Sequence, residues 1–350
     1  MPCVCILLLA TAAIAESDLL VRIDSIVAEA YPADGPGAAA IVLRNGEILY
    51  RGASGLADME HGVPVSPETR FGIASTTKQF TAACLLRLEE RGLLSLDDPL
   101  AVHLPDFPTR GDPITLRHLL AHTSGLGCYT DLSDFDRVER LDYDVGEMAA
   151  YMRDVERLGA PDSLWSYSNT GYFLAGLVIE KTMGLPYPEA LRREILEPLG
   201  LGDTMFGDAR RIIPRRARPY QSVEGAVVNC SYVSPVVRYS AGGLLSTVDD
   251  LARWTEALFA GRVVSEENVR RMTSEQRLVD GRGTGYGLGF IVGEIAGRRA
   301  AHHRGSVFGF TCHSAYLPGE ELYVAVLTNS DAGSDPGRVL KMITKTVLGM

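Results

Sequence analysis

Apolar residues follow three different rhythms along this chain. Leu19, Leu20, Ile23, Ile26 and Val27 recur three and four residues apart, a spacing that predicts a helix over about Ser17–Ala30. Ala38–Leu43 is a short unbroken apolar run. Asn45-Gly46 supplies the two positive-φ residues of a tight hairpin turn, and Ile48-Leu49-Tyr50 returns as the partner strand. Near the other end, Leu288–Ile295, Arg299–His303, Phe310–Tyr316 and Leu322–Asn329 read as strands, punctuated by Gly297, Gly309 and Pro318-Gly319. A closing helix runs from about Pro336 to Leu348 with Asp335 as its N-cap. The stretch between is mostly helical in period: Thr76–Arg91 with Gly92 as its stop, Leu116–Ala121, Val145–Arg157, Gly171–Met183, Tyr187–Glu197 and Val248–Ala260. The economical arrangement is an α/β (α+β) fold working as one unit. Residues 16–60 plus 285–350 form an antiparallel sheet flanked by the terminal helices, and residues 61–284 are a mainly helical insert. A site in such a fold lies in the cleft between sheet and insert.

Composition narrows the choice of ligand. With 46% apolar and 22% charged residues the chain has material for a real core, so disorder is excluded. The net charge of −10 argues against nucleic acid, and no apolar run reaches the length of a membrane span. What remains as partner is a small molecule or short peptide, with the oligomeric state open. Residues 1–15 carry a short apolar run ending in Ala13-Ile14-Ala15, the pattern of a cleaved signal peptide, although no basic residue precedes it. This predicts a secreted or periplasmic protein, or a cytoplasmic one if the leader is kept. The six cysteines form no Cys-x-x-Cys pair, and His302, His303 and His313 lack a metal-ligand pattern, so no metal or other cofactor is expected. Cys84 reads as a small core residue, and a disulfide among Cys128, Cys230 and Cys312 stays open.

Three short motifs carry chemistry. In Ser75-Thr76-Thr77-Lys78 the serine falls at a helix start and the lysine one turn later on the same face. There an amine can accept the hydroxyl proton, and the positive helix end favours negative charge at the serine. An N-cap serine followed by a solvated lysine would look similar. However, Lys78 is the only lysine before position 181, and the only charged residue between Arg70 and Arg87. Tyr167-Ser168-Asn169 sits in a polar loop just before a helix, where a phenol can shuttle protons and an amide can bind a substrate carbonyl. The plain alternative is a capping loop. His303-Arg304-Gly305-Ser306 leads into a strand. Gly305 would let a substrate approach the backbone, and Ser306 would add a second N–H to that of Ser75 in an oxyanion hole. Read blandly, it is a polar strand end with a core histidine.

Ser-x-x-Lys, Tyr-x-Asn and His-x-Gly in this order resemble the serine β-lactamase/penicillin-binding-protein superfamily, most closely the class C β-lactamase-related group. Leu119–Leu126, Tyr239–Leu244 and Tyr286–Phe290 are also phrases of that group, and the resemblance covers about residues 18–348. It implies a β-lactamase/transpeptidase-like fold with Ser75 as the acylated nucleophile, Lys78 as its proton partner and Tyr167 as general base and acid. By the same resemblance Asn169 contacts a substrate amide and His303 and Gly305 form the third motif; His122 and Ser124 match a phrase of the group but read as structural. The third motif departs from the Lys-Thr-Gly of penicillin-binding proteins. A neutral His303 is a poorer carboxylate anchor, and Arg304 is a candidate to compensate. The expected activity is a serine hydrolase of D-amino-acid or peptidoglycan-type peptides. The alternatives are a carboxylesterase, a class C-like β-lactamase, or a sensor that acylates without turnover. Gly-x-Ser-x-Gly is absent, which argues against an α/β-hydrolase esterase.

Overall fold

The computed structural model describes residues 3–350, with side chains from Ser17 onward. Helix α1 (Cys3–Ala30) reaches further back than the periodicity predicts, because the Leu- and Ala-rich residues before Ser17 have high helix propensity. The side chains of the expected leader, 1–15, lie outside the described residues. Among the described residues no helix is long and apolar enough to cross a membrane.

Strands β1 (Ala38–Arg44), β2 (Glu47–Ser54), β3 (Ile291–Ile295), β4 (Arg298–Val307), β5 (Phe310–Leu317) and β6 (Leu322–Thr328) form one antiparallel sheet in the order β3-β4-β5-β6-β1-β2. The two ends of the chain meet where β1 pairs with β6, from Ala38 opposite Thr328 to Arg44 opposite Leu322. Asn45 and Gly46 both take positive φ in the first hairpin, 54° and 77°. The apolar runs are unbroken because both faces of the sheet are covered. Ala38, Ala40, Val42, Val324 and Val326 pack on Ile23 and Val27 of α1 and on Val339, Leu340 and Ile343 of the last helix. The alternate residues Ala39, Ile41, Leu43, Ala325 and Leu327 face the second, larger core with Phe71 and Phe80. Each fully buried Val, Leu, Ile or Phe among these contributes about 1.5–3 kcal/mol.

Several elements depart from the periodicity. Strand β3 begins at Ile291 rather than Leu288, after a loop in which Gly289 takes a φ of 85°. The helix expected over Val145–Arg157 stops at Tyr151 and ends in a 3₁₀ turn at Asp154, because Arg157 leaves to bridge Leu126. A helix over Pro235–Gly242, another over Glu266–Met272 and a hairpin of Tyr220–Val223 with Ala226–Asn229 carry no strong period, and the apolar pattern does not predict them. Cys84, Cys128, Cys230 and Cys312 are all free.

Candidate active site

The serine sits on a strained turn. Ala74 has a φ of 45°, unusual for a residue with a side chain, and opens a 3₁₀ turn, Ala74–Thr76, that leads into helix α2 (Thr77–Glu90). Ser75 therefore stands just ahead of the helix, with Lys78 one turn on, and the helix is buried from Thr77 to Leu86. Strand β4 presses against this turn. A Cβ on Gly305 would lie 2.6 Å from the Ile73 carbonyl oxygen and 2.9 Å from the Ala74 side chain. Gly305 thus makes room for the protein's own serine turn, and it also lines the cavity beside Ser75.

Lys78 is fully buried and enters no ion pair among the described residues. Its Nζ lies 2.8 Å from Asn169 Oδ1, 2.8 Å from the Ala241 carbonyl oxygen and 3.2 Å from Ser75 Oγ. Burial pushes its pKa down to about 7, with the Cys128 thiol pulling slightly the other way. The partner set suits the neutral amine. Two partners can only accept and take its two N–H bonds, while the third, a hydroxyl, can donate to the lone pair. The Ala241 carbonyl is available because helix α3 (Pro235–Gly242), which Tyr239 breaks at φ 38°, ψ −130°, ends one residue after Ala241 and leaves its last carbonyls without intrahelical partners. The carbonyls beyond the break are taken by side chains of α2: Ser240 by Thr81 at 2.7 Å and Ala241 by Lys78.

Tyr167 and Asn169 arrive on the loop that opens the helix Asn169–Met183. The loop is pinned from behind, where Ser168 donates its backbone N–H to His122 Nδ1 at 3.1 Å and its hydroxyl to the Gly127 carbonyl at 3.0 Å. His122 ends the Leu116–Ala121 helix in the left-handed region and packs its ring 4.2 Å from that of Tyr167. The Tyr167 ring centre lies 4.8 Å from Lys78 Nζ. Burial drives the phenol pKa well above its ordinary value, while the Ser75 hydroxyl beside it acts in the opposite sense. At neutral pH Tyr167 therefore keeps its proton, and of the two groups only Lys78 has an accessible basic form.

His303 is buried. Its Nδ1 lies 2.6 Å from the Arg304 carbonyl oxygen and its Nε2 3.0 Å from the Tyr286 hydroxyl. The carbonyl requires a proton on Nδ1, so Nε2 accepts from the tyrosine. Burial first, and the Lys78 charge second, hold its pKa down to about 3, so the third motif is neutral. Arg304 does not offer the free grip expected of it. Its guanidinium is 2.7 Å from Asp335 Oδ2, and the other oxygen of Asp335 caps the last helix, Pro336–Val347. The neighbour that neutralises Arg304 is contributed 31 residues further on, where no local pattern links the two.

Ser75, Asn169 and Ser306 line two cavities that flank the serine, one of about 300 Å³ with Phe135 and Phe308, the other of about 670 Å³ with Tyr167, His303 and Asp335. The site also uses residues that the motifs did not single out. Tyr286 fixes His303, the Ala241 carbonyl holds Lys78, and Cys128 Sγ accepts from the Asn169 backbone N–H at 3.3 Å. A signal for the first two existed in the phrases around Tyr286 and Tyr239, but their contribution is a hydroxyl spent on His303 and a backbone carbonyl.

Residues 25–345 match the Beta-lactamase family. The chain is 34% identical over 292 residues to Esterase EstB of Burkholderia gladioli, covering 73% of this chain and 74% of the esterase. It is 29% identical over 300 residues to a D-aminopeptidase of Gluconobacter oxydans, covering 84% of this chain but only 56% of that enzyme's length. In three dimensions it resembles a D-stereospecific amidohydrolase from a Streptomyces species, with a TM-score of 0.79, 28% identity, and 95% and 99% of the two chains covered. By sequence and by fold, this chain belongs to the Beta-lactamase family and is a serine hydrolase of the β-lactamase/transpeptidase-like fold.

Proposed function

We propose that this hydrolase cleaves amide bonds of D-amino-acid or peptidoglycan-type substrates through an acyl-enzyme on Ser75. The observation that carries the reading is the buried Lys78 amine 3.2 Å from Ser75 Oγ, with a pKa lowered to about 7 and no counter-ion among the described residues. Lys78 takes the hydroxyl proton as Ser75 Oγ bonds to the carbonyl carbon, and the backbone N–H groups of Ser75 and Ser306 hold the oxyanion. The C–N bond breaks as Tyr167 passes its proton to the leaving amine and is recharged from Lys78. Water then attacks the ester, gives its proton to the same pair, and Ser75 regains its hydrogen. Asn169 keeps its carbonyl on Lys78, so its NH₂ is the group left to meet the substrate. The D-amino-acid preference is supported by the D-stereospecific amidohydrolase and D-aminopeptidase likenesses.

Ester hydrolysis is the second reading, favoured by the 34% identity to an esterase and by a neutral His303 that places no ammonium at the third motif. Parallel rates on D- and L-alanyl nitroanilide, a D-Ala-D-Ala peptide, a chromogenic cephalosporin and short nitrophenyl esters separate the cases. Turnover of D-anilides over L-anilides supports the proposal. Turnover of esters alone removes the amidase assignment. The Ala-x-Ala leader supports export, which N-terminal sequencing of the mature protein tests.

A further inference from the structure

The cleft is electrically lopsided about Ser75. On one side, the cavity with Tyr167 and His303 carries Asp331 and Asp335, and its arginine, Arg304, is already paired with Asp335. On the other side, the cavity that Ser75 shares with Phe308 has no acidic side chain in its lining and contains one cation, Arg238 of α3. The Arg238 guanidinium lies 5.2 Å over the Phe308 ring, its Nε is buried without a hydrogen-bond partner, and it enters no ion pair among the described residues. Glu139 reaches it only through space. Burial lowers its pKa to about 10, which leaves it charged at neutral pH. Arg238 and Phe308 also line an adjoining cavity of about 680 Å³, where Arg210, Arg211 and Arg216 contribute further positive charge. A cluster of this sign stands out in a chain of net charge −10. An arginine held in a pocket without a carboxylate is costly unless something completes it, and its planar fork fits an oxyanion.

We infer that Arg238 is a substrate anchor, and that the enzyme acts on substrates carrying a carboxylate that docks on Arg238 beside Ser75. The inference rests on the acyl-enzyme reading above and narrows it, since a free ammonium is repelled from this pocket and an acidic or acidically capped D-amino acid is drawn in.

The test compares matched substrates in one enzyme: N-succinyl-, N-acetyl- and free-amine D-alanine nitroanilide, and an N-acetyl-D-alanine anilide whose leaving group bears a carboxylate. Nitrophenyl monosuccinate and nitrophenyl butyrate form a parallel ester pair. At least one carboxylated substrate should exceed its neutral match about tenfold in kcat/KM, a preference that shrinks as ionic strength rises. Arg238→Gln should reduce that ratio to near unity, and Arg238→Lys should keep part of it. Because each ratio is taken within one protein, a loss of folded enzyme cancels. Equal or lower rates for every carboxylated substrate in the wild type would overturn the inference without any variant, as would a preference that survives Arg238→Gln. If only the esters react, the amidase reading fails while the succinate-to-butyrate ratio still reports on Arg238.

Discussion

Lys78→Met removes the buried amine, and the structure sets both the size and the sign of the effect. Burial lowers the lysine pKa from 10.5 to about 7, so the charged form is disfavoured in the fold by roughly 5 kcal/mol relative to water. The unfolded chain keeps this proton up to about 10.5, whereas the folded chain releases it near 7. Between those values the unfolded state binds more protons, and wild-type stability rises with pH. From about pH 6 to about pH 9 the lysine alone contributes about 3 kcal/mol of this rise. Lys78→Met lacks it. The lost contacts to Asn169 Oδ1 and the Ala241 carbonyl cost about 1–3 kcal/mol each, but equally at both pH values. Urea unfolding of both proteins at the two pH values isolates the term as a difference of differences. Wild type should gain about 3 kcal/mol on the variant between pH 6 and pH 9. The same proton governs chemistry, so acylation of the wild type should climb about tenfold from pH 6 to pH 8 along one ionisation near 7. A stability difference independent of pH, or an acylation limb centred near 10, would refute the claim that burial keeps a neutral amine beside Ser75.

The same geometry dictates other outcomes. Gly305→Ala places a methyl 2.6 Å from the Ile73 carbonyl oxygen and should cost about 1–3 kcal/mol in urea unfolding, with a fall in kcat as the serine turn shifts; an unchanged enzyme would mean that β4 does not press on the turn. Tyr286→Phe leaves His303 Nε2 buried without its donor and should destabilise the fold by about 1–3 kcal/mol, whereas a stability equal to wild type would deny that hydrogen bond. Because His303 stays neutral down to about 3, it should not titrate between about pH 5 and pH 8, and an NMR titration that finds this imidazole ionising near 6.5 would contradict its burial.

Much of the frame is legible in the sequence because it depends on local pattern. The sheet strands are short apolar runs bounded by turns, and Ala38–Leu43 against the observed Ala38–Arg44 shows how closely an unbroken run locates a fully buried strand. The spacing of Ser75 and Lys78 likewise puts hydroxyl and amine on one helical turn. The rest is tertiary. Nothing near Arg304 announces Asp335, which takes its charge from a different element. Nothing near Gly305 shows that the chain passing it is the Ile73–Ala74 turn. The Ala241 carbonyl that Lys78 meets belongs to the last turn of a helix broken at Tyr239, a backbone feature that side-chain pattern does not encode. Arg238 is hidden for the same reason, since an arginine without a partner is recognised only once its surroundings are known.

The central claim is that Ser75 carries the acyl group. Enzyme turning over N-acetyl-D-alanine nitrophenyl ester, quenched in acid and digested, tests it directly by mass spectrometry. Fragment ions of the peptide containing Ser75 should place the acyl mass on Ser75 itself and nowhere else, and Ser75→Ala should fold, lose turnover and carry no adduct. Continued turnover by folded Ser75→Ala, or an adduct mapped to Cys128 or Lys78 instead, would contradict it.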